Sequence, residues 1–148
     1  MSAEETALEI MRAAIALEGE PHGMWKHMGM RLVAADEGTA TIRIELGPHL
    51  GNVNGIVHGG VYATLLDSAL GSTVHTVLPF GASIATVDLT VSYLRSSRLD
   101  DVALFGIGTV TRRGRRICHA SGEVVDRSGK VLATGVGSFL VTERNPRV

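Results

Sequence analysis

The residues from Asn52 to Asp67, NVNGIVHGGVYATLLD, bring together the groups in this chain best suited to chemistry. A glycine- and asparagine-rich loop leads into His58-Gly59-Gly60, and the apolar, small-residue run that follows carries a single carboxylate, Asp67. If that run is a helix, the Gly59 and Gly60 N–H groups are among its unpaired first-turn donors, at the positive end of its dipole. Glycine also lets a ligand come close to the backbone. Donors converging on one point stabilise the oxyanion that forms in acyl transfer, and a nearby carboxylate can attack the carbonyl or activate water. An ionised carboxylate in apolar surroundings costs several kcal/mol (roughly) unless it is paired, hydrogen-bonded or open to a wet cleft. The purely structural account of Asp67 is a hydrogen bond to loop backbone or a pairing with an arginine.

One helix cannot bring both halves of such a site together. Gly60 and Asp67 are seven residues apart, which puts them on nearly one face but separates them by about 10 Å along the axis. A carbonyl carbon and its oxygen are far closer than that. Two copies of the helix packed antiparallel across a two-fold axis would instead place Gly59 of one protomer beside Asp67 of the other, giving an isologous dimer with two equivalent sites.

The elements that must position these groups follow from periodicity. The run from about Gly60 to Val74 has apolar or small residues on every side (Val61, Tyr62, Leu65, Leu66, Ala69, Leu70, Val74, with Ala63, Thr64, Ser68, Gly71, Ser72 and Thr73 between), so this helix must be surrounded by protein and the sheet is expected to wrap it. Before it, MRLVAADEGTATIRIEL reads as a hairpin turning at Asp36-Glu37-Gly38. After it, Ser83 to Tyr93 alternates as a half-buried strand, with Ala85, Val87, Leu89, Val91 and Tyr93 opposed to Thr86, Asp88, Thr90 and Ser92. The turns RRGRR and DRSGK divide three more strands, about Val102–Thr111, Arg116–Val125 and Val131–Val141, into an antiparallel meander. At the N-terminus, Ser2 and Glu5 have capping-box spacing for an amphipathic helix to about Leu17, with Leu8, Met11 and Ile15 on its inner face. This order predicts an α+β domain: a long central helix wrapped by an antiparallel sheet of about five to six strands, with an extra N-terminal helix.

The 148 residues suit a single domain (1–28 N-terminal helix and lead-in, 29–142 core, 143–148 tail). With 45% hydrophobic and 20% charged residues, and apolar runs too short to span a membrane, a soluble protein is expected. The acidic, amphipathic start differs from a secretory signal, and Cys118 alone makes no internal disulfide, so a cytoplasmic location is expected. A net charge of −1 lacks the positive field that nucleic acid or an anionic membrane attracts. The arginines are nonetheless uneven, with Arg95, Arg98, Arg112, Arg113, Arg115 and Arg116 in one short region, an anion site or a solvated turn.

The spaced set Asn52, Gly55, His58-Gly59-Gly60 and Asp67 resembles that of the hotdog-fold acyl-CoA thioesterases, of the phenylacetic-acid-degradation type related to 4-hydroxybenzoyl-CoA thioesterase. The likeness runs from about Gly29 to Val141 and includes TVDLTVSYL, RRGRR and GKVLATG. It implies a hotdog fold in dimers, commonly tetramers, that hydrolyses acyl-CoA with no metal and no cofactor beyond the coenzyme A of the substrate. It further implies that Gly59 donates its N–H to the thioester carbonyl, with Gly60 beside it, and that Asp67 of the facing subunit is nucleophile or general base. Asn52 would position water or substrate, and His58 would orient the loop or the thioester end, or simply bond backbone at the helix start. Thr86 matches a Ser or Thr that helps hold water, and Arg113, Arg115 and Arg116 would hold the CoA phosphates.

Two other readings fit the architecture. Hotdog hydratases and dehydratases pair a histidine with an acidic residue at other spacings, often beside prolines, whereas this helix begins with Gly-Gly. A non-catalytic acyl-CoA binding or sensor domain would keep the pocket without the carboxylate. A metal site is not expected, because His58 and Asp67 do not face each other across a helical turn and no third ligand is suggested. FGIGT lies within a strand-like run and does not read as a dinucleotide loop.

Overall fold

The structure is a computed structural model that describes residues 6–142. Helix α1 spans Ala7–Ala16, and its capping box is Thr6 with Glu9: the Glu9 N–H donates to Thr6 Oγ1 (3.2 Å) and the Thr6 N–H to Glu9 Oε2 (2.6 Å). The anticipated Ser2–Glu5 pair lies outside the described residues. The helix docks on the first strand, where Arg12 meets Asp36 at 2.6 Å. Both side chains are largely exposed, so this pair contributes at most about 1 kcal/mol. The lead-in holds a second, short helix that periodicity did not announce, α2 (Gly23–Met28). Gly29 ends it in the left-handed conformation (φ 74°), which glycine adopts without steric cost.

Strands β1 (Met30–Asp36) and β2 (Thr39–Glu45) form the expected hairpin, with Gly38 at φ 82° in the turn. A 3₁₀ turn (Pro48–Leu50) and the Asn52–His58 loop lead into α3 (Gly59–His75). Strands β3 (Ser83–Tyr93), β4 (Ala103–Arg113), β5 (Ile117–Asp126) and β6 (Val131–Thr142) follow. The six strands make one antiparallel sheet in the order β1-β2-β4-β5-β6-β3. The meander is thus β4-β5-β6, and β3 lies beyond it at the sheet's edge.

Leu65, Leu66, Ala69, Leu70 and Val74 of α3 are buried against the sheet together with Ile42, Ile44, Leu104, Val124 and Phe139. The glycines of FGIGT allow this close seat. A Cβ on Gly106 would lie 2.9 Å from Leu65 Cγ, and one on Gly108 would lie 2.9 Å from the Ala69 carbonyl oxygen. The sheet does not cover α3 all round, however. Ala63, Thr64, Asp67, Ser68, Ser72 and His75 form a half-buried stripe, so the apolar surroundings expected on every side are present on the sheet side only.

Strand β3 also departs from simple alternation. Its pairing with β6 shifts between Thr86 and Asp88, which face the consecutive residues Phe139 and Ser138, so Val87 is an extra, bulged residue. Ile84 packs on the core cluster around Phe139 and Thr86 reaches α3, whereas beyond the bulge Leu89 and Val91 face the core. Ala85 and Val87, placed by alternation on the apolar face, are exposed, Val87 by 58%.

Candidate active site

Asp67 sits mid-way along α3 on the half-buried stripe. Its Oδ1 accepts a hydrogen bond from Thr86 Oγ1 at 2.8 Å, a contact that the Val87 bulge makes possible by turning Thr86 toward the helix. The carboxylate is therefore not entombed, and among the described residues it pairs with no arginine. It lines a cavity of about 260 Å³ with Trp25, Gly71, Ile84 and Phe139 among the other walls. His75 lines the same cavity, and burial holds its imidazole below the ordinary value, which favours the neutral ring.

The start of α3 is organised by His58, the N-cap residue, whose Nδ1 accepts the Gly60 N–H at 2.8 Å. This separates the two glycine donors that sequence alone treated alike. Gly60's N–H is occupied by His58, while that of Gly59, the first helical residue, has no partner among the described residues. An imidazole that accepts at Nδ1 carries its proton on Nε2. The Gly59 carbonyl in turn accepts from the Tyr93 hydroxyl at 2.9 Å, which ties the helix start to the end of β3. Tyr93 packs near Tyr62, ring centroids 5.9 Å apart, and burial pushes the Tyr62 hydroxyl up to about 12.

Asn52 holds its own loop. Its Oδ1 accepts from the N–H groups of Asn54 (2.9 Å) and Ile56 (3.4 Å), and Gly55 completes the turn at φ 74°. Of the Asn52 side chain expected to position water or substrate, the oxygen is thus engaged and the amide NH₂ is left. The loop is further pinned where the His58 N–H donates to the Leu50 carbonyl and the Val57 N–H to that of Ser97.

The arginines divide between the two ends of the molecule. Arg98 bridges to Ile56 near the start of α3 and makes a two-pronged pair with Asp100, both contacts at 2.9 Å. Arg115 and Arg116 line a cleft of about 640 Å³ with Phe80 of the segment after α3. Arg113, the last residue of β4, is exposed but lies outside that cleft's lining, so only two of the three proposed phosphate ligands share a concavity. The single region seen in the sequence is two places in the fold. Among the described residues, no cluster of three or more His, Cys, Asp or Glu is placed to hold a metal ion, and no helix is long and apolar enough to cross a membrane.

Sequence reasoning did not single out Trp25, Ser68 or His75. Trp25 reaches the site from α2, where its Nε1–H donates to Ser68 Oγ at 3.1 Å. Its signal was the chain's single tryptophan, in the lead-in EGEPHGMWKHM. His75, two turns beyond Asp67, was legible in principle from helical spacing.

Residues 54–133 match the model of the thioesterase superfamily, and the chain belongs to that family. Its class is therefore thioester hydrolase, and its α3-on-sheet architecture is the hotdog fold. The chain is 34% identical over 130 residues to a protein of Halobacterium salinarum provisionally assigned as an esterase, covering 82% of this chain and 86% of that one. It is 30% identical over 82 residues to an acyl-coenzyme A thioesterase of Bos taurus, spanning 55% of this chain and 32% of that protein. A solved structure from Ralstonia eutropha, described as a phenylacetic acid degradation-related protein and provisionally as a thioesterase, superposes with a TM-score of 0.75 at 28% identity, covering 86% of this chain and 97% of that one.

Proposed function

We propose that this protein hydrolyses acyl-CoA thioesters, aryl or short-to-medium acyl, to the free acid and CoA, at sites shared between two protomers. The observation that carries this reading is the division of the catalytic groups along one helix. Gly59 offers an N–H with no partner among the described residues at its start, and Asp67 stands on its open stripe eight residues later, about 12 Å along the axis. One thioester cannot touch both within a chain. An antiparallel pairing of α3 with its copy brings them together, and the long edge strand β3, with Val87 and Tyr93 exposed, is suited to continue the sheet across the same two-fold axis. In that arrangement the Gly59 N–H stabilises the oxyanion. Asp67, held by Thr86, delivers the oxygen nucleophile, either its own or that of a water it deprotonates. Arg115 and Arg116 are available for the CoA phosphates.

Thiol release from a panel of phenylacetyl-, hydroxybenzoyl-, short and medium acyl-CoA tests the activity. No release from any of them would favour a binding domain. Mixing two inactive variants tests the shared site. Asp67→Asn removes the charge at constant size. Gly59→Pro deletes the donor at the first helical position, where proline is tolerated and where the extended His58 (ψ 138°) suits a following proline. In a mixed dimer one site carries both lesions and the other carries both native residues. With half the dimers mixed, activity should return to about a quarter of wild type. Failure to recover, with subunit exchange verified by native mass spectrometry, would place the site within one chain.

A further inference from the structure

Trp25 stands between two cavities. On one side is the Asp67 cavity of about 260 Å³, and on the other is a cleft of about 740 Å³ between α1, α2 and β1, walled in part by Ala14, Ile15, Leu32 and Val33. Among the described residues Trp25 is the one that lines both. The indole is fixed in this position by its hydrogen bond to Ser68, the neighbour of Asp67, and by packing against the main core cluster. No group in the site described above uses the larger cleft.

We propose that Trp25 sets the length of acyl group the enzyme accepts, closing the Asp67 cavity against the α1–α2 cleft. The proposal rests on the thioesterase reading and deepens it by naming the acyl class. A cavity of about 150 Å³ holds a benzene ring, so the space beside Asp67 suits a ring-sized or short acyl group. A longer chain needs the volume behind Trp25. Ile84, Phe139 and Gly71 also line the near cavity, and a Cβ on Gly71 would come within 3.2 Å of Ile84 Cδ1, which shows how little slack exists on that side. Among these walls the indole is the one that also borders the α1–α2 cleft, so shortening it joins the two spaces.

Two variants separate volume from hydrogen bonding. Trp25→Leu shortens the wall and loses the bond to Ser68, whereas Trp25→Phe loses the bond and keeps most of the wall. The ratio of kcat/KM for decanoyl-CoA to that for phenylacetyl-CoA should rise at least about tenfold in the Leu variant, the scale on which apolar pockets discriminate, and stay near wild type in the Phe variant. An unchanged ratio in Leu, or equal shifts in both, would overturn the proposal.

A second measurement needs neither hydrolysis nor a variant that folds. Trp25 is the chain's single tryptophan, so its emission can be titrated with two ketones that match the substrates' acyl carbon count but carry the carbonyl one carbon from sulfur, phenacyl-CoA and 2-oxodecyl-CoA, which have no scissile thioester. The phenacyl analogue should perturb the emission and bind at least about tenfold tighter than the decyl one. Equal affinities, or a phenacyl analogue that binds without changing the emission, would remove Trp25 from the acyl site. If the analogues differ but no thioester is cleaved, the wall stands and the hydrolase reading falls. If thioesters are cleaved and neither ratio nor affinity depends on length or on residue 25, the wall falls and the hydrolase reading stands.

Discussion

The hydroxyl of Thr86 is the one side-chain donor on Asp67 among the described residues, at 2.8 Å from Oδ1. A hydrogen bond to a charged group contributes roughly 1.5–3 kcal/mol, so its loss is felt where the carboxylate must hold one orientation. Thr86→Val keeps shape and removes the donor. It should lower kcat by about tenfold or more, whereas Thr86→Ser should stay within a few-fold of wild type. Steady-state kinetics on the best thioester of the panel, with thermal melts to check the fold, decide between this and an incidental contact. Equal rates for the Val and Ser variants would mean that Asp67 needs no help from β3. At the helix start, His58 and Gly59 divide the labour in a comparable way, the imidazole occupying one N–H and leaving the other for a ligand.

At the scale of elements, the close seat of α3 on β4 has a local cost. Thr73 faces the sheet opposite Gly108, fully buried, and its Oγ1 has no hydrogen-bond partner among the described residues. An unsatisfied buried hydroxyl costs about 1–3 kcal/mol, and replacing it with a methyl of the same shape relieves that cost without leaving a cavity. Thr73→Val should therefore raise stability by about 1 kcal/mol in denaturant unfolding, with activity unchanged, because the residue faces away from Asp67's stripe. A destabilised Thr73→Val would mean that the hydroxyl finds a partner in solution. The opposite change belongs to the same contact: a methyl on Gly106 must displace Leu65, so close approach at this strand is bought with glycine.

Across the whole molecule, the two ends of α3 carry different chemistry. The Asn52–His58 loop and the Arg98–Asp100 pair lie at its start, and the Arg115–Arg116 cleft with exposed Phe80 lies beyond its end. If that cleft takes the CoA phosphates, the double change Arg115→Ala with Arg116→Ala should raise KM about tenfold while kcat moves less, since phosphate contacts give uniform binding. Added salt should weaken the wild type in the same sense and the double variant much less. Arg113→Ala, whose side chain lies outside the cleft, should keep KM near wild type. A KM unaffected by the double change would leave these arginines as a solvated hairpin.

Spacing and period were enough for much of this protein. The 52-58-67 spacing, the hairpin at Glu37-Gly38, the β4-β5-β6 meander and the long helix were all legible, because each depends on neighbours a few residues away and on the alternation that burial imposes. The argument that Gly59 and Asp67 cannot serve one thioester within a chain also needed only the helical rise. What the tertiary structure decided depends on contacts distant in sequence. The bulge at Val87 turns Thr86 toward Asp67, and it arises in the pairing with β6, more than fifty residues on. Trp25 enters the site because α2 lies over α3, which no local period announces. The arginine run divides because β3 and β4 end at opposite ends of the sheet. The open stripe of α3 had no signature at all: small residues such as Ala63, Ser68 and Ser72 suit a crowded neighbour and an empty groove alike, and only the place where the sheet stops covering the helix distinguishes them.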